Sequence, residues 1–424
     1  MLNKDGEREL CYVVKVDDIQ PIQGRDKVEC AVIGGWTCMV RKGQFNKGDL
    51  GIYFEIDSKV DTSKDVFKFT EKYNGKIKTQ KFSIKDEDGN KIGQFWSQGL
   101  LMSADDFGWE LIHIEGGKPF IARPSKEDKR ITSTIDNLYE GDFLTKELGV
   151  TYAEVEDNKR KSSSGDKYKK MASRHPKLFQ NPIIKKIYKT KLGKRILFVF
   201  FGKKKDSKQS FPDWVVKTDE ERIQNLIHRI PEFQSEEWIA TEKRDGSSTT
   251  MTLKGHGRKQ EYAVCSRNVR MENRKDGAWY DTNIYTEMAD KYNIKKVLED
   301  LLTDEYEFVT IQGETFGEGI QKRDYGLKEH IFEVFNVIFG YKDGTTKRLN
   351  PIEMKNLMDK YNIPTVPIIE EHFHIPSTCQ EILDMAGGEA SIYGGMREGI
   401  VFRNYDATKS FKAVDNEFLA KYHG

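Results

Sequence analysis

The sequence predicts an α+β protein, with a small antiparallel β-barrel at the amino terminus followed by a second domain of antiparallel sheets with flanking helices. Four short apolar stretches follow one another between residues 10 and 57, and no helix-length pattern separates them. Later apolar stretches of strand length alternate with two segments whose apolar residues recur at three- and four-residue spacing. The 424 residues exceed what one hydrophobic core usually organises, so we expect two domains.

The amino-terminal module is expected over residues 1–153. Its first apolar stretches are Cys11–Val14, Ala31–Ile33, Trp36–Val40 and Leu50–Phe54. The dipeptide Gly34-Gly35, between the second and third stretches, predicts a tight hairpin turn. Apolar character resumes over residues 95–102, and residues 141–149 indicate the end of the module. Short strands at this close spacing favour a small barrel or sandwich, and we expect an OB-like barrel.

The second domain is expected over residues 211–424, with mostly antiparallel strands. Its predicted strands are Trp238–Lys243, Thr249–Leu253, Tyr262–Cys265, Glu307–Gln312, Ile331–Phe339 and Gly399–Arg403. Its predicted helices are Tyr285–Leu302 and Pro351–Tyr361.

A basic segment, residues 154–210, is predicted to separate the two domains as a linker or insert. Between Lys159 and Lys208 there are 18 Lys and Arg residues and two acidic residues, so this stretch carries +16 and the rest of the chain −15. Such asymmetry indicates a polyanion partner. A solvated linker, or an electrostatic tie to the protein's own acidic surface, explains the charge equally well. Some helical content is expected near Ile183–Phe200.

Several classes of protein are excluded by what the sequence lacks. The first residues are too polar for a secretory signal, and the longest apolar run, residues 196–201, is far shorter than the roughly 20 residues of a membrane helix. The five cysteines show no Cys-x-x-Cys spacing, which argues against disulfides and structural zinc. The phosphate-binding loops of P-loop NTPases and kinases are missing. We expect a soluble, intracellular protein, cytoplasmic by default.

The first segment that could carry catalytic chemistry is Lys243-Arg244-Asp245-Gly246. The lysine ends a predicted strand, and Asp-Gly then turns the chain, which presents the amine outward with little freedom. A lysine amine is a nucleophile only when it is unprotonated, so neighbouring cations or a metal ion must depress its pKa. The pattern Lys-x-Asp-Gly consists of three common residue types and matches by chance in many chains of this length. On this segment alone, an ordinary hairpin turn is the better interpretation.

Four further segments favour the catalytic interpretation. The first supplies Arg267, a residue type suited to phosphate oxygens. Glu314 lies at a strand end between glycines, where backbone can approach a ligand closely. The strand with Phe335 offers an aromatic face for a base. Glu398 then begins a strand, and Lys412 follows it within fifteen residues.

In this order, the segments resemble the motifs of the covalent nucleotidyltransferases, the superfamily of DNA ligases, RNA ligases and mRNA capping enzymes. The segment that begins at Phe211 also resembles the lead-in found in RNA ligases. DNA ligases and capping enzymes of this superfamily carry an OB domain after the last lysine motif. Because 12 residues follow Lys412 here, we expect no such domain. A barrel before the catalytic domain resembles the RNA ligase family with an amino-terminal OB-like module.

The resemblance implies an ATP-dependent RNA ligase with Mg²⁺ or Mn²⁺, and a catalytic role for Lys243 as the site of a lysyl–AMP intermediate. The implied nucleotide-binding residues are Glu242, Arg267, Glu314, Phe335 and Lys412. Glu398 would hold the divalent ion. Phe335 would stack on adenine, and Phe332 would face the same side only where the strand bulges. One departure from the family is Ser410, which occupies the first of two positions often held by lysine; Lys409 would replace it after a register change.

The expected partner is RNA, as single-stranded ends or a nicked duplex, bound by a monomer. Lys203, Lys204 and Lys205 of the basic segment are candidate contacts to the RNA backbone. Three alternatives stay open at this point. The chain could be an ATP-dependent ligase acting mainly on DNA, a guanylyltransferase, or a non-catalytic nucleic-acid-binding protein with a degenerate transferase domain.

Overall fold

The computed structural model describes residues 1, 3, 8–86, 88–123, 136–153, 181–188, 190, 194, 197, 211–215, 217, 219–267, 269–271, 283–321, 323 and 325–423. Most of the predicted basic segment, including residues 203–205, lies outside them. The chain divides into two compact units that do not follow sequence order. The first unit comprises Met1–Glu156, Thr218–Arg244 and Pro367–Gly424, and the second comprises Asp157–Lys217 and Asp245–Val366.

Strands dominate the described chain. They are β1 Cys11–Lys15, β2 Asp18–Pro21, β3 Val28–Ile33, β4 Trp36–Arg41, β5 Leu50–Phe54, β6 Ser58–Lys59, β7 Thr79–Lys85, β8 Lys91–Gln98, β9 Leu100–Met102, β10 Glu110–Ile112, β11 Phe120–Arg123, β12 Asp136–Leu138, β13 Thr151–Tyr152, β14 Glu221–Arg222, β15 Trp238–Lys243, β16 Ser247–Lys254, β17 Glu261–Ser266, β18 Tyr306–Phe316, β19 Ile331–Tyr341, β20 Thr346–Arg348, β21 Ile368–Phe373, β22 Gly399–Asn404 and β23 Ser410–Val414.

The described residues contain fewer helices than strands. The α-helices are α1 Thr145–Leu148, α2 Pro182–Tyr188, α3 Ile230–Phe233, α4 Ile284–Lys291, α5 Ile294–Leu301, α6 Pro351–Asp359, α7 Cys379–Ala386 and α8 Asn416–Phe418. The 3₁₀ turns are Asp65–Tyr73, Ala104–Phe107, Ile223–Asn225, Ile227–Arg229 and Gly257–Lys259, and a π-helical turn spans Leu419–His423. In the described part of the chain, none of the helices combines the length and apolar character that crossing a bilayer requires.

The amino-terminal module consists of antiparallel strands, as the sequence predicts. β5 lies between β1 and β9, β3 lies between β2 and β4, and β7 pairs with β8. Gly34 and Gly35 form the two-residue turn between β3 and β4, and the positive φ of Gly34 (59°) explains the glycine there. The apolar stretches turn inward, so that Phe54 and Phe67 pack edge to face in the core.

The first unit also holds a five-stranded sheet in the order β14-β23-β22-β15-β21. β14 runs parallel to β23, and the other neighbours are antiparallel. Trp238, Phe402 and Phe411 are fully buried on one face of this sheet and contact α3 and its neighbours. The edge strands β14 and β21 and the inner strand β23 were not predicted from the sequence.

The second unit holds the sheet β17-β16-β18-β19-β20, in which all neighbours are antiparallel. The predicted strands in this region are confirmed, as is the second predicted helix, which α6 fills after an Asn350 cap. The single helix predicted over residues 285–302 is wrong, because α4 and α5 are separate. Asn293 between them has a φ of 48°, and this left-handed conformation cannot continue a right-handed helix.

Candidate functional site

The two candidate lysines of the first unit lie on one face of its five-stranded sheet. Lys243, the last residue of β15, pairs with Gly399 of β22. Thr241, two residues earlier in the same strand, pairs with Val401, which in turn pairs with Lys412 of β23. Directly paired residues on neighbouring strands project to the same face of a sheet. Lys243 and Lys412 therefore project from the same face, two positions apart along the strands.

The amine of Lys243 is held by a carboxylate. Its Nζ atom lies 2.7 Å from Oε1 of Glu398, the residue that immediately precedes β22. The Lys243 side chain is 26% exposed and that of Glu398 is 8% exposed, so the lysine reaches the surface while its partner is almost fully buried. Gly399 has to be glycine, because a Cβ atom there would meet the carbonyl oxygen of Ala413 at 2.3 Å.

Lys412 lies in a buried cluster of charged side chains. Its Nζ donates to Oδ1 of Asp219 at 2.7 Å, and Oδ2 of the same carboxylate accepts from Nε of Arg8 at 3.0 Å. Arg222 pairs with Lys412 in the parallel register of β14 and β23. Burial lowers the pKa of Lys412 to about 8; Asp219 opposes this shift, whereas the positive charges of Arg8, Arg222 and Lys243 add to it.

Three members of that cluster were missed by sequence reasoning. Asp219 and Arg222 belong to the lead-in segment that begins at Phe211, so its resemblance to RNA ligases was a usable signal. Arg8 comes from the start of the chain, 211 residues before Asp219. No periodicity or spacing could have placed it there.

Glu242 has a different environment from the other candidates. Its carboxylate contacts the guanidinium of Arg244 through one oxygen, and the other oxygen accepts from the backbone N–H and hydroxyl of Ser391, the former at 2.8 Å. Arg244 in turn lies over the ring of Tyr393, at 5.0 Å from its centroid. The side chains of Glu242 and Arg244 are almost fully buried. The arrangement locks the backbone on either side of Lys243.

Arg267, Glu314 and Phe335 all belong to the second unit. Arg267 is exposed, just beyond the end of β17, and Glu314 is half-buried within β18. Gly313 beside it serves strand packing, because a Cβ atom there would lie 2.4 Å from the carbonyl oxygen of Glu333.

Phe335 is the extra residue of a β-bulge in β19. Val334 pairs with Gly313 and Asn336 with Gln312, so Phe335 has no residue opposite it. Phe335 is half-buried, whereas Phe332 is fully buried in the core and contacts Tyr292. The strand does bulge, and Phe335 is the aromatic side chain with an accessible face.

The structure also describes Lys409 and Ser410, the two residues at which the last lysine motif departs from the family. Lys409 forms ion pairs with Glu232, at 2.8 Å, and with Glu236. Ser410 lies two residues before Lys412 on β23 and pairs with Arg403. The strand keeps its register from Ser410 to Val414, so no register change brings Lys409 to the position of Ser410.

A divalent ion at Glu398 would need ligands from a bound substrate as well as from the protein. Among the described residues, no three His, Cys, Asp or Glu side chains cluster closely enough to hold a metal ion by themselves. Mg²⁺ in nucleotide sites usually takes one or two carboxylates together with phosphate oxygens and water. Glu398, a buried carboxylate at the lysine that would attack the nucleotide, fits that kind of site.

Comparison with known proteins identifies the family. Residues 236–423 match the family model for RNA ligase, and residues 10–104 match a model for an OB-fold domain. Residues 236–423 of the chain therefore form a domain of the RNA ligase family. The matches confirm the predicted family and the OB-like module that precedes its catalytic domain. The boundaries predicted for the basic segment, 154–210, stay a prediction.

Similar solved structures agree with the match to the RNA ligase family. An arginine-to-alanine variant of Naegleria gruberi RNA ligase with ATP and Mn is 26% identical, with a TM-score of 0.65. A lysine-to-methionine variant of that enzyme with AMP and Mn is 26% identical, with a TM-score of 0.64, and the enzyme with PPi is 25% identical, with a TM-score of 0.65. Each match covers 98% of this chain and 99% of the other. No curated protein sequence matches the chain.

Proposed function

We propose that this RNA ligase uses ATP to form a covalent lysyl–AMP on Lys243 and then joins a 3′-hydroxyl end of RNA to a 5′-phosphate end. The observation that carries the proposal is the sheet face on which Lys243, at the end of β15, contacts Glu398 and lies near Lys412. The similar Naegleria gruberi structures contain ATP, AMP, Mn and PPi, which are the reactant, the transferred group, a metal ion and the leaving group of such a reaction.

In the first step, the Nζ atom of Lys243 attacks the α-phosphorus of ATP. A P–N bond forms, the bond from that phosphorus to the bridging oxygen breaks, pyrophosphate leaves, and the amine loses its proton. The contact with Glu398 favours the charged ammonium, so attack requires that this contact be released. Lys412 supplies positive charge to the α-phosphate, which is the main means of stabilising such transition states.

The metal proposal rests on Glu398. A bound Mg²⁺ or Mn²⁺ would neutralise charge on the phosphate oxygens. Glu398 would supply its carboxylate ligand and, when so engaged, would no longer hold the Lys243 ammonium. The same carboxylate thus keeps the lysine positioned before ATP binds and frees it afterwards.

The nucleotide contacts of the second unit are proposed on the same basis. Phe335, aimed by its bulge, would stack on adenine, and Glu314 would accept hydrogen bonds from the ribose hydroxyls. Arg267 would contact phosphate. We propose a positioning role for Glu242, since both of its carboxylate oxygens bond to protein groups.

In the remaining steps, the lysyl–AMP passes AMP to the 5′-phosphate of one RNA end. The 3′-hydroxyl of the other end then attacks that phosphate, a phosphodiester bond forms, and AMP leaves with the electrons of the broken anhydride bond. Positioning and charge stabilisation account for most catalysis in phosphoryl transfer, so the same cations would act in all three steps.

The decisive experiment follows the AMP. With labelled ATP and Mg²⁺ or Mn²⁺, the protein should gain one AMP at Lys243, in an adduct that is acid-labile and alkali-stable, as a phosphoramidate is. Lys243→Ala should lose labelling and sealing of a 5′-phosphorylated strand but still join a strand that already carries 5′-AMP. Lys254→Ala, which removes another lysine, should label normally. An adduct at any other residue contradicts the assignment.

The substrate class needs a separate comparison. Matched single-stranded and nicked substrates with RNA or DNA on each side of the junction should show the highest rate when the 3′-hydroxyl side is RNA. Labelled GTP in place of ATP tests the guanylyltransferase alternative and should give no adduct. Equal sealing of all-DNA nicks would favour the DNA-directed alternative.

A further inference from the structure

The OB module carries a concave basic surface that the catalytic chemistry does not use. Two adjoining cavities, of about 380 and 320 Å³, share the lining residues Tyr73, Lys76, Lys78 and Gln80. Lys72 lines the second cavity and Lys81, which forms an ion pair with Glu417, lines the first; no acidic side chain lines either cavity. We call this surface, whose lining residues fall mostly between Phe69 and Phe82, the hairpin groove, because strand β7 of the β7–β8 hairpin lines it.

The charge of the groove is built into its sequence. Residues 64–85 contain seven lysines and only two acids, Asp65 and Glu71. The lysines are separated by aromatic and apolar residues, unlike those of the basic segment 154–210, so this surface does not stand out as a charge run. Folding brings them together, because the 3₁₀ turn at 65–73 and strand β7 form adjacent walls of one groove.

Aromatic side chains lie among these lysines with their rings in solvent. Phe69 is 57% exposed and Tyr73 is 39% exposed, whereas Phe67 on the same turn is fully buried. The ammonium of Lys81 already lies over the ring of Trp96, at 5.0 Å from its centroid. Two exposed aromatic rings that line one cavity are an apolar surface of the kind found at interaction sites.

We infer that the hairpin groove binds a single-stranded segment of polynucleotide that flanks the ends to be joined. Proteins that bind single strands without sequence preference combine a basic groove with rings on which bases stack. Phe69 and Tyr73 would supply the stacking surfaces, and Lys72, Lys76 and Lys78 the phosphate contacts. The ligand is RNA if the proposed function holds, and stacking on rings favours a nucleic acid over an acidic peptide.

The test measures binding by the full-length protein to a fluorescently labelled, single-stranded 5′-phosphorylated RNA and to DNA of the same sequence. Phe69→Ala and Tyr73→Ala should each weaken RNA binding by roughly 5- to 150-fold, the loss of one stacked base. Tyr73→Phe should bind as the wild type does, because it keeps the ring. Both aromatic residues are exposed, so these variants should fold normally.

The salt dependence of RNA affinity tests whether the groove lysines contact phosphates. Replacing Lys72, Lys76 and Lys78 together with Gln should lower the slope of log affinity against log salt by about 2, at ~0.7 for each single-strand phosphate. The matched control replaces three exposed lysines of the same module outside the groove with Gln. These are Lys47, Lys118 and Lys146. The control should bind with a nearly unchanged slope.

Lysine adenylylation separates this inference from the proposed function. The groove variants should label with ATP at the wild-type rate, since Lys243 reacts before RNA is needed. Wild-type affinity and salt slope in both the aromatic and the lysine variants would overturn the inference and leave a protein partner as the occupant. Stronger binding of DNA than of RNA would support the groove but contradict RNA as its ligand. Absence of any AMP adduct on the wild type would refute the proposed function alone.

Discussion

The pH dependence of lysine adenylylation should report the protonation of Lys412. Burial lowers the pKa of Lys412 to about 8, with Asp219 opposing the shift and Arg8, Arg222 and Lys243 adding to it. The proposed role requires the charged form, so kcat/KM for ATP should lose the contribution of Lys412 as the pH rises through about 8. One pH unit above that value, about one molecule in eleven keeps the proton, which predicts a loss of about tenfold.

The assay compares the wild type with Lys412→Arg. An arginine stays charged throughout this range, so the variant should not show the fall. The rate of AMP incorporation is measured at ATP concentrations below KM, on both sides of pH 8 and at constant ionic strength. The ratio of the two rates cancels the titration of Lys243, because both proteins carry that nucleophile. Lys412→Met, which has no charge at any pH, should be slower by roughly 10²–10³-fold below pH 8.

Substitutions of two residues near Lys412 should move the pH at which the adenylylation rate falls, and they should move it in opposite directions. Asp219→Asn removes the carboxylate that raises the pKa of Lys412, so the fall should begin at lower pH. Arg222→Gln removes a cation that lowers it, so the fall should begin at higher pH. The structure predicts both directions from the signs of the charges around one ammonium group.

The free energy of unfolding should also depend on the protonation of Lys412, but the contribution of Lys412 should rise with pH where the adenylylation rate falls. Because the pKa of Lys412 is lower in the folded protein than its ordinary value of 10.5, the unfolded chain binds more protons between about pH 8 and that value. The contribution of Lys412 to the free energy of unfolding should therefore rise with pH over this window. Chemical denaturation of the wild type and Lys412→Met at several pH values measures it. Two results together would refute the assigned pKa. The ratio of the wild-type adenylylation rate to that of Lys412→Arg would not change across pH 8, and the difference in free energy of unfolding between the wild type and Lys412→Met would not change with pH.

Three further predictions concern the metal, the base and the basic segment. Glu398→Ala and Glu398→Gln should both lower metal-dependent adenylylation by roughly 10²–10³-fold, and near-normal activity of the Gln variant would place the metal elsewhere. Phe335→Ala should raise KM for ATP while Phe335→Tyr, which keeps the ring, should not; equal KM values for the three proteins would argue against stacking on adenine. Replacing Lys203, Lys204 and Lys205 with Gln should weaken RNA binding and flatten its salt slope without affecting adenylylation, and an unchanged slope would mean that these lysines belong to a solvated linker.

Strand positions were predictable where periodicity and local turn chemistry agree. β15 begins and ends at the predicted residues, and the turn at Gly34 joins β3 and β4 as expected. The failures lie where tertiary context decides. The helix break at Asn293 occurs within a continuous apolar pattern, so spacing alone could not reveal it. The strands β14 and β23 depend on pairing between distant segments, which spacing within either segment cannot show.

The candidate site likewise has features that the sequence predicts and features that depend on tertiary structure. Lys243, Glu398 and Lys412 could be proposed from the sequence because each belongs to a short segment with recognisable residue types in a fixed order. It did not identify how Glu398 contacts Lys243, since the two are joined only by the pairing of β15 with β22. It placed Phe335 ahead of Phe332 without a means of establishing the bulge that separates their environments.

The charge around Lys412 shows why the order of motifs along the chain does not describe this site completely. Arg8, which contacts Asp219 at 3.0 Å, also contacts Glu55 of the OB module at 3.2 Å. Arg222 likewise donates to Asp57, just after β5, at 3.0 Å. Both arginines near Lys412 are thus oriented by carboxylates of the amino-terminal module. A buried ion pair depends on every partner that satisfies it, because removing one leaves an uncompensated charge. The OB module therefore contributes to the electrostatic environment of Lys412 on the five-stranded sheet.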